Sequence, residues 1–260
     1  MPRLSIKDGY PDYNIEVFIP DSNTDAEAMD GSIKEKKEYP VIWLLHGSWG
    51  SGSDWFEYTK AAMYAQENGI AIVAVNGGNE FYVDPVRGVN WEEVVTRKIW
   101  RIIHELLPVS ADPAKNAICG LSMGGYGAMK MGLEHPERYS AIGCLSGGVL
   151  MPQRYAAGKE PMAKLWRLED VFGPADQVIG SGYDLRHVAA EAVSRGVRPY
   201  IYMCVGTRDV HEKEDSPKFA AYLREIGMEL TWDEGDYDHE FRFWDIQLEK
   251  FMLCLKQRGF

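Results

Sequence analysis

The stretch "CGLSMGGYGAMK", residues 119–130, constrains the fold of this chain more than any other. It sets Gly120, Gly124, Gly125 and Gly127 around one serine, Ser122. Glycine gives up the most backbone freedom on folding, so a cluster of it beside regular structure needs a reason. A sharp bend where two segments pass with no room for side chains supplies one. The run before it, "NAIC", reads as a short strand, and "GYGAMKMGLEH" after it opens a helix. Strand, tight turn and helix in that order lift a serine hydroxyl above a sheet edge, over a helix N-terminus with free N–H groups. A lone Gly-x-Ser-x-Gly match arises by chance in roughly one chain of this size in ten. The flanking strand and helix give this one its weight.

The rest of the chain repeats the alternation. "VIWLLHG" (41–47), "IAIVAVNGG" (70–78), "YSAIGCLSGG" (139–148) and "PYIYMCVGT" (199–207) are near-continuous apolar runs, as strands buried on both faces require. Helical patterns lie between them. "DWFEYTKAAMYAQENG" ends at Gly69, a natural C-cap, and "WEEVVTRKIWRIIHELLP" sets Val95, Ile99, Ile102, Ile103 and Leu106 on one face before Pro108. "SPKFAAYLREIG" and "FWDIQLEKFMLCLKQ" supply two more. Strands alternating with helices predict a single α/β domain over 1–260, with a mostly parallel central sheet flanked by helices. Two segments break the rhythm. Residues 21–39 form a polar excursion after an early strand at about 14–19, and 151–198 hold no sheet strand. The second is too long for an ordinary connection and reads as a cap-like insertion over the C-terminal edge of the sheet, where open α/β folds bind ligands.

Bulk properties narrow the chemistry. The net charge of −11 excludes a nucleic-acid partner, which needs a basic surface. No apolar run approaches the roughly 20 residues that span a bilayer, so no membrane partner is expected. No signal peptide is visible at the N-terminus, and the expected location is cytoplasmic. Cys119, Cys144, Cys204 and Cys254 sit in apolar runs without metal-ligand spacing and read as small buried hydrophobes, so no metal site is expected. A homo-oligomer is compatible with all of this.

A serine hydroxyl attacks only when a base takes its proton, and the base needs a carboxylate to fix its tautomer. On a strand-turn-helix elbow the chain order is serine, acid, histidine. Asp209 follows a strand in "CVGTRDVHEKED", and His239 follows the strand-like "ELTW" in "MELTWDEGDYDHEFRFWD". His211 competes, but it lies two residues from Asp209 on the same loop. His46 is upstream of the serine, His104 is mid-helix, His135 ends the elbow helix and His187 lies in the insertion. Asp236 and Asp238 remain alternative acids, although both share the loop of His239. An oxyanion needs preorganised N–H donors. Met123, directly after the serine, offers one, and Ser48 in "LLHGSWGSGSDW" offers the other. Trp49, Phe81, Tyr82 and Trp166 are expected around the mouth of the site.

Taken together, "LLHGSWGSGSDW", "VNGGNEFYVD", "CGLSMGGYGAMKMGLEHPERYSAIGCLSGG", "VGTRDV" and "YDHEFRFWDIQLEKF" resemble the esterase D-like α/β-hydrolases, in particular the tributyrin and acetyl esterases. Feruloyl esterases and S-formylglutathione hydrolases are cousins. The likeness runs from about residue 41 to the C-terminus and is weakest over 151–198. It implies an α/β-hydrolase fold, a Ser122–Asp209–His239 triad, Ser48 and Met123 as oxyanion donors, and no cofactor. It also implies that the loop holding Asn79 and Phe81 borders the substrate pocket. S-formylglutathione hydrolases usually carry Gly-His after the two elbow glycines, whereas this chain has Tyr126-Gly127, which points to the general carboxylesterase branch. The expected activity is hydrolysis of short-chain acyl esters, with acetyl or feruloyl esters of plant-derived sugars as candidate small-molecule substrates. A thioesterase of the S-formylglutathione type, an acyltransferase of the same fold and a non-catalytic binding module are the alternatives.

Overall fold

Residues that leave water on both sides of a sheet must be covered from both sides, and the apolar runs are covered in full. Every residue of β3 (Val41–Leu45), β4 (Ala71–Val75), β5 (Asn116–Leu121), β6 (Ala141–Leu145) and β7 (Tyr200–Gly206) is buried. The structure is a computed structural model that describes residues 3–6, 14–21 and 38–260. With β1 (Arg3–Ile6), β2 (Ile15–Phe18) and β8 (Leu230–Gly235), these strands form an eight-stranded sheet in the order β1-β2-β4-β3-β5-β6-β7-β8. The pairs from β4 through β3 to β8 are parallel, while β1–β2 and β2–β4 are antiparallel. The expected mostly parallel sheet is therefore present, with an antiparallel edge. Of the polar excursion at 21–39, residues 22–37 lie outside the described residues.

Alternation along β3 sends Val41, Trp43 and Leu45 into one core, and Ile42 and Leu44 into the other. The second core is closed by α2 (Ala61–Asn68) and α10 (Phe241–Gln257). The first is closed by α5 (Met123–Glu134), α8 (Leu185–Ser194) and α9 (Asp215–Glu225) together with the helical segment at 91–106. Two helix expectations are corrected. The run at 54–69 is not one helix: α1 (Asp54–Glu57) stops at Tyr58, and α2 starts afresh at Ala61. The break is held by Asp245 of α10, whose carboxylate accepts the Lys60 N–H (2.7 Å). The 91–106 segment is α3 (Trp91–Glu93), a π-helical stretch (Val94–Ile99) and α4 (Trp100–Leu106). The wider π turn rotates the later residues, so Ile103 stays buried while Leu106 is 64% exposed rather than facing the core. Gly69 caps α2 in the left-handed conformation (φ 66°), as its position implies.

Between β6 and β7, the segment 151–198 carries α6 (Met151–Ala156), α7 (Leu168–Phe172) and α8, and no strand. Among the described residues no helix is long and apolar enough to cross a membrane.

Candidate active site

The glycines of the elbow are required by the path of the backbone. A Cβ on Gly120 would collide with the carbonyl of Gly124, and one on Gly124 would strike the carbonyls of Leu45 and His46. Helix α5 can lie this close to β5 and to the end of β3 only because neither residue carries a side chain. Ser122, at the apex, is held at φ 53°, ψ −118°, a conformation costing a non-glycine residue of order 1–3 kcal/mol. Its carbonyl accepts from the N–H of Gly125, Tyr126 and Gly148, which pins the bend to α5 and to the loop after β6. The side chain opens into a cavity of about 700 Å³ at the carboxyl edge of the sheet.

Asp209 follows β7 and is fully buried. One of its oxygens, Oδ1, accepts the backbone N–H of His211 (2.9 Å) and Glu212 (3.1 Å). The other, Oδ2, accepts Nδ1–H of His239 (2.7 Å). Burial pushes the Asp209 carboxyl up, but the His239 hydrogen bond and charge and the two N–H donors outweigh it and hold the group below its ordinary value. An ionised Asp209 keeps the His239 proton on Nδ1 and leaves Nε2 as a base. His239 and Ser122 line the same cavity, although hydrogen bonds join only His239 and Asp209 directly. Nucleophile-to-base hydrogen bonds are often long before substrate arrives.

The rivals are accounted for by their contacts. Asp236 and Asp238 are exposed and pair with Arg208. His104 bonds the carbonyls of Trp100 and Ser110, His135 caps α5 and pairs with Glu92, and His187 lies on the surface beside Glu191. His211 is closer in: it lines the cavity with its ring 5.2 Å from that of His239. His46 is buried and structural. Gly77 N–H donates to its Nε2 (3.1 Å), so the proton sits on Nδ1 and bonds the Gly47 carbonyl (2.6 Å). Burial lowers its pKa and keeps the ring neutral in that tautomer, against the opposing pull of the Gly47 bond, Asp54 and Asn76.

Ser48 and Met123 both line the cavity, and among the described residues no hydrogen bond engages either backbone N–H. Met123 is the first residue of α5 and so has no partner within the helix. Trp49 N–H, by contrast, is taken by Asn79 Oδ1 (2.6 Å). Asn79 thus braces the Ser48–Trp49 loop and is absent from the cavity wall, a correction to its expected place at the pocket. Tyr82 is a second correction. It is fully buried against Gly77 and Gly127, with its hydroxyl accepting the His46 N–H (2.9 Å), so it supports the loop from below. Trp49, Phe81 and Trp166 do line the cavity, with the two tryptophan rings 6.0 Å apart and Phe81 edge-on to Trp166 at 6.1 Å.

Sequence reading missed the opposite wall. Met151, Arg154, Lys159, Glu160 and Glu212 line it, and Phe241 and Trp244 of α10 close the side next to His239. Arg154 ties three carboxylates: Nε to Glu160 (3.0 Å), Nη1 to Asp215 (2.7 Å) and Nη2 to Glu212 (3.1 Å). The residues at 151–160 and those at 212–215 are distant from each other in sequence and share no motif, so only "HEKED" after Asp209, an acidic run, hinted at them.

Known proteins share the fold that carries this site. Residues 12–248 match the model of the Esterase family. An acetyl esterase of Caldicellulosiruptor saccharolyticus is 26% identical over 216 residues, 81% of either chain. Among solved structures, fluorophosphonate-binding serine hydrolase F of Staphylococcus aureus superposes with a TM-score of 0.85 at 23% identity, covering 98% of both chains. An S-formylglutathione hydrolase of the same organism gives 0.82 at 22% identity, again over 98% of both. At these identities the solved structures establish the α/β-hydrolase fold.

Proposed function

The chain belongs to the Esterase family and is a carboxylic ester hydrolase of the serine type, and we propose that it hydrolyses short-chain acyl esters through an acyl-enzyme on Ser122. In this reading His239 Nε2 takes the Ser122 proton as Oγ attacks the ester carbonyl. The oxyanion is met by the N–H groups of Ser48 and Met123, preorganised donors that act where charge develops. His239 then returns the proton to the departing alcohol. Water, deprotonated in turn by His239, attacks the acyl carbon and frees Ser122. Asp209 holds the imidazole in its productive tautomer and stabilises the imidazolium. No step calls for a cofactor. Residues 151–198 serve as a cap on the one catalytic domain, and acetyl or feruloyl esters of sugars are the substrates that suit the aromatic wall best.

The observation that carries the reading is the Asp209–His239 hydrogen bond (2.7 Å) beside the cavity into which the Ser122 elbow opens. Titration with a fluorophosphonate tests it. The parent should label stoichiometrically, and Ser122→Ala should lose all labelling and on the order of 10⁶ in kcat. A Ser122→Ala enzyme within tenfold of the parent on p-nitrophenyl acetate would end the proposal.

A further inference from the structure

Glu212 is an odd group to find in an ester-binding cavity. Its side chain is 5% exposed, yet it lines the cavity that Ser122 and His239 share. Its position is fixed twice over. Its N–H bonds the same Asp209 carboxylate that holds His239, and its carboxyl faces the Arg154 guanidinium with Oε1 at 3.1 Å and Oε2 at 3.4 Å. The carboxyl also stands next to the elbow. A Cβ added to Gly148 would lie 3.8 Å from Oε1, and Gly148 N–H donates to the Ser122 carbonyl (3.1 Å).

The charge around it is lopsided. Asp54, Glu160 and Glu212 line the cavity, with Asp209 and Asp215 directly behind, against Arg154 and Lys159. Arg154 is already shared among Glu160, Glu212 and Asp215, so it has little left to offer an anion. Lys159 is exposed at the rim, where water screens it. Among the described residues that line the cavity, His211 and His239 are the only other titratable groups. A buried carboxyl among carboxylates presents acceptors to a hydroxyl-bearing ligand and repels a negative one, since like charges brought together without solvent are strongly disfavoured.

We propose that Glu212 is a specificity-determining residue that makes this site select uncharged leaving alcohols and exclude anionic ones. The inference rests on the Ser122 esterase reading and deepens it. A sugar hydroxyl fits such a site, whereas an acyl carrier bearing carboxylates, such as the glutathione peptide, does not. Burial pushes the Glu212 carboxyl up to about 8, with Asp209 and Asp215 adding to the rise and Arg154 opposing it. Exclusion of anions therefore grows as pH rises through that value and the full charge appears.

The test is a matched pair of acetates, 4-acetoxybenzoate and its methyl ester, which differ in the charge of the leaving phenol. The ratio of their kcat/KM values is compared between the parent and Glu212→Gln. The parent should favour the methyl ester by about tenfold or more, mostly through KM, and the preference should widen between pH 6.5 and 9. In Glu212→Gln the preference should shrink at least threefold and lose its pH dependence. The pH profile of the parent needs no variant, so the inference stays exposed even if the substitution impairs folding. Intact fluorophosphonate labelling with an unchanged ratio in Glu212→Gln, or a parent preference that is flat with pH, would overturn the role of Glu212 alone. No hydrolysis of either ester and no labelling would overturn the Ser122 reading, and this inference with it.

Discussion

Asp209→Asn isolates the tautomer argument, because the structure dictates which way the new amide must lie. In the parent, Oδ1 accepts two buried backbone N–H groups, from His211 and Glu212, and Oδ2 accepts from His239. The amide oxygen of Asn has to stay with the two N–H donors. Turning it round would leave both unsatisfied, at about 1–3 kcal/mol each. The NH2 group then faces His239 Nδ1 and donates to it, which moves the imidazole proton to Nε2. A ring protonated there cannot accept the Ser122 proton. Loss of kcat on the order of 10⁴, about 5.5 kcal/mol in barrier height, is expected. The flipped amide would restore the tautomer only at roughly 2–6 kcal/mol, so it offers no cheap rescue. Acylation rates with p-nitrophenyl acetate, fluorophosphonate labelling and thermal unfolding should be followed together. Because the folded-state pKa of Asp209 is depressed, its ionisation stabilises the fold above the unfolded value near 4 and stops doing so on acidification. The Tm gap between parent and variant should accordingly narrow as pH falls below about 4. An Asn variant that folds and acylates within tenfold of the parent would refute the argument and return Asp236 and Asp238 to consideration.

His239→Ala should match Ser122→Ala in severity, while His211→Ala should change kcat by less than about tenfold, since one short loop cannot readily set both acid and base around the serine; a reversed ranking would move the base to His211. Ser48→Ala keeps the backbone donor and should be mild, whereas Ser48→Pro deletes the N–H and should cost roughly 2.7–4 kcal/mol of transition-state stabilisation. Near-parental turnover in a folded Pro variant would place the second donor elsewhere. Rates on p-nitrophenyl esters should peak at about two to four acyl carbons and drop sharply by about eight, because each fitted methylene is worth only about 1–3 kcal/mol and the fall must come from a wall. A profile that climbs steadily to long chains would remove the short-acyl reading.

What could be read from the sequence was whatever depended on neighbours along the chain. The elbow was legible because Gly120 answers to a local crossing of β5 with the turn that opens α5, whereas the need for Gly124, room against the Leu45 and His46 carbonyls, comes from β3. The meeting of Asp209 with His239 was legible because the order of acid and histidine after the elbow and the strand ends before them are both linear features. The errors share the opposite cause. The 54–69 run has continuous helical character, and its break is imposed by Asp245, far away in sequence. Tyr82 sits in a glycine-rich loop and reads as an aromatic at the mouth of the site. It is buried because Gly77 and Gly127, on different elements, leave room for its ring. Arg154 and Glu160 come from the segment 151–198, Glu212 from the loop after β7 and Asp215 from the start of α9, and nothing in their spacing predicts that they meet.

The backbone strain has a pattern of its own. Trp49 (φ 57°), Phe81 (φ 54°), Tyr82 (φ 58°), Ser122 (φ 53°) and Ser146 (φ 46°) all adopt left-handed conformations that disfavour their side chains. They follow the carboxyl ends of β3, β4, β5 and β6, which are adjacent in the sheet. Each costs of order 1–3 kcal/mol and persists only where its surroundings over-determine it. The surroundings here do so by cross-bracing one loop with the next. Asn79 holds Trp49, Gly77 and Tyr82 hold His46, Gly148 holds Ser122, and Cys204 on β7 holds Ser146. A loose loop could present a serine and two N–H groups, but it would have to reorganise as charge developed. Loops locked in this way have met that cost during folding, so in the mechanism proposed above the N–H groups of Ser48 and Met123 need not move when an oxyanion forms between them. Under that mechanism, strain at four neighbouring strand ends is the structural form that preorganisation takes.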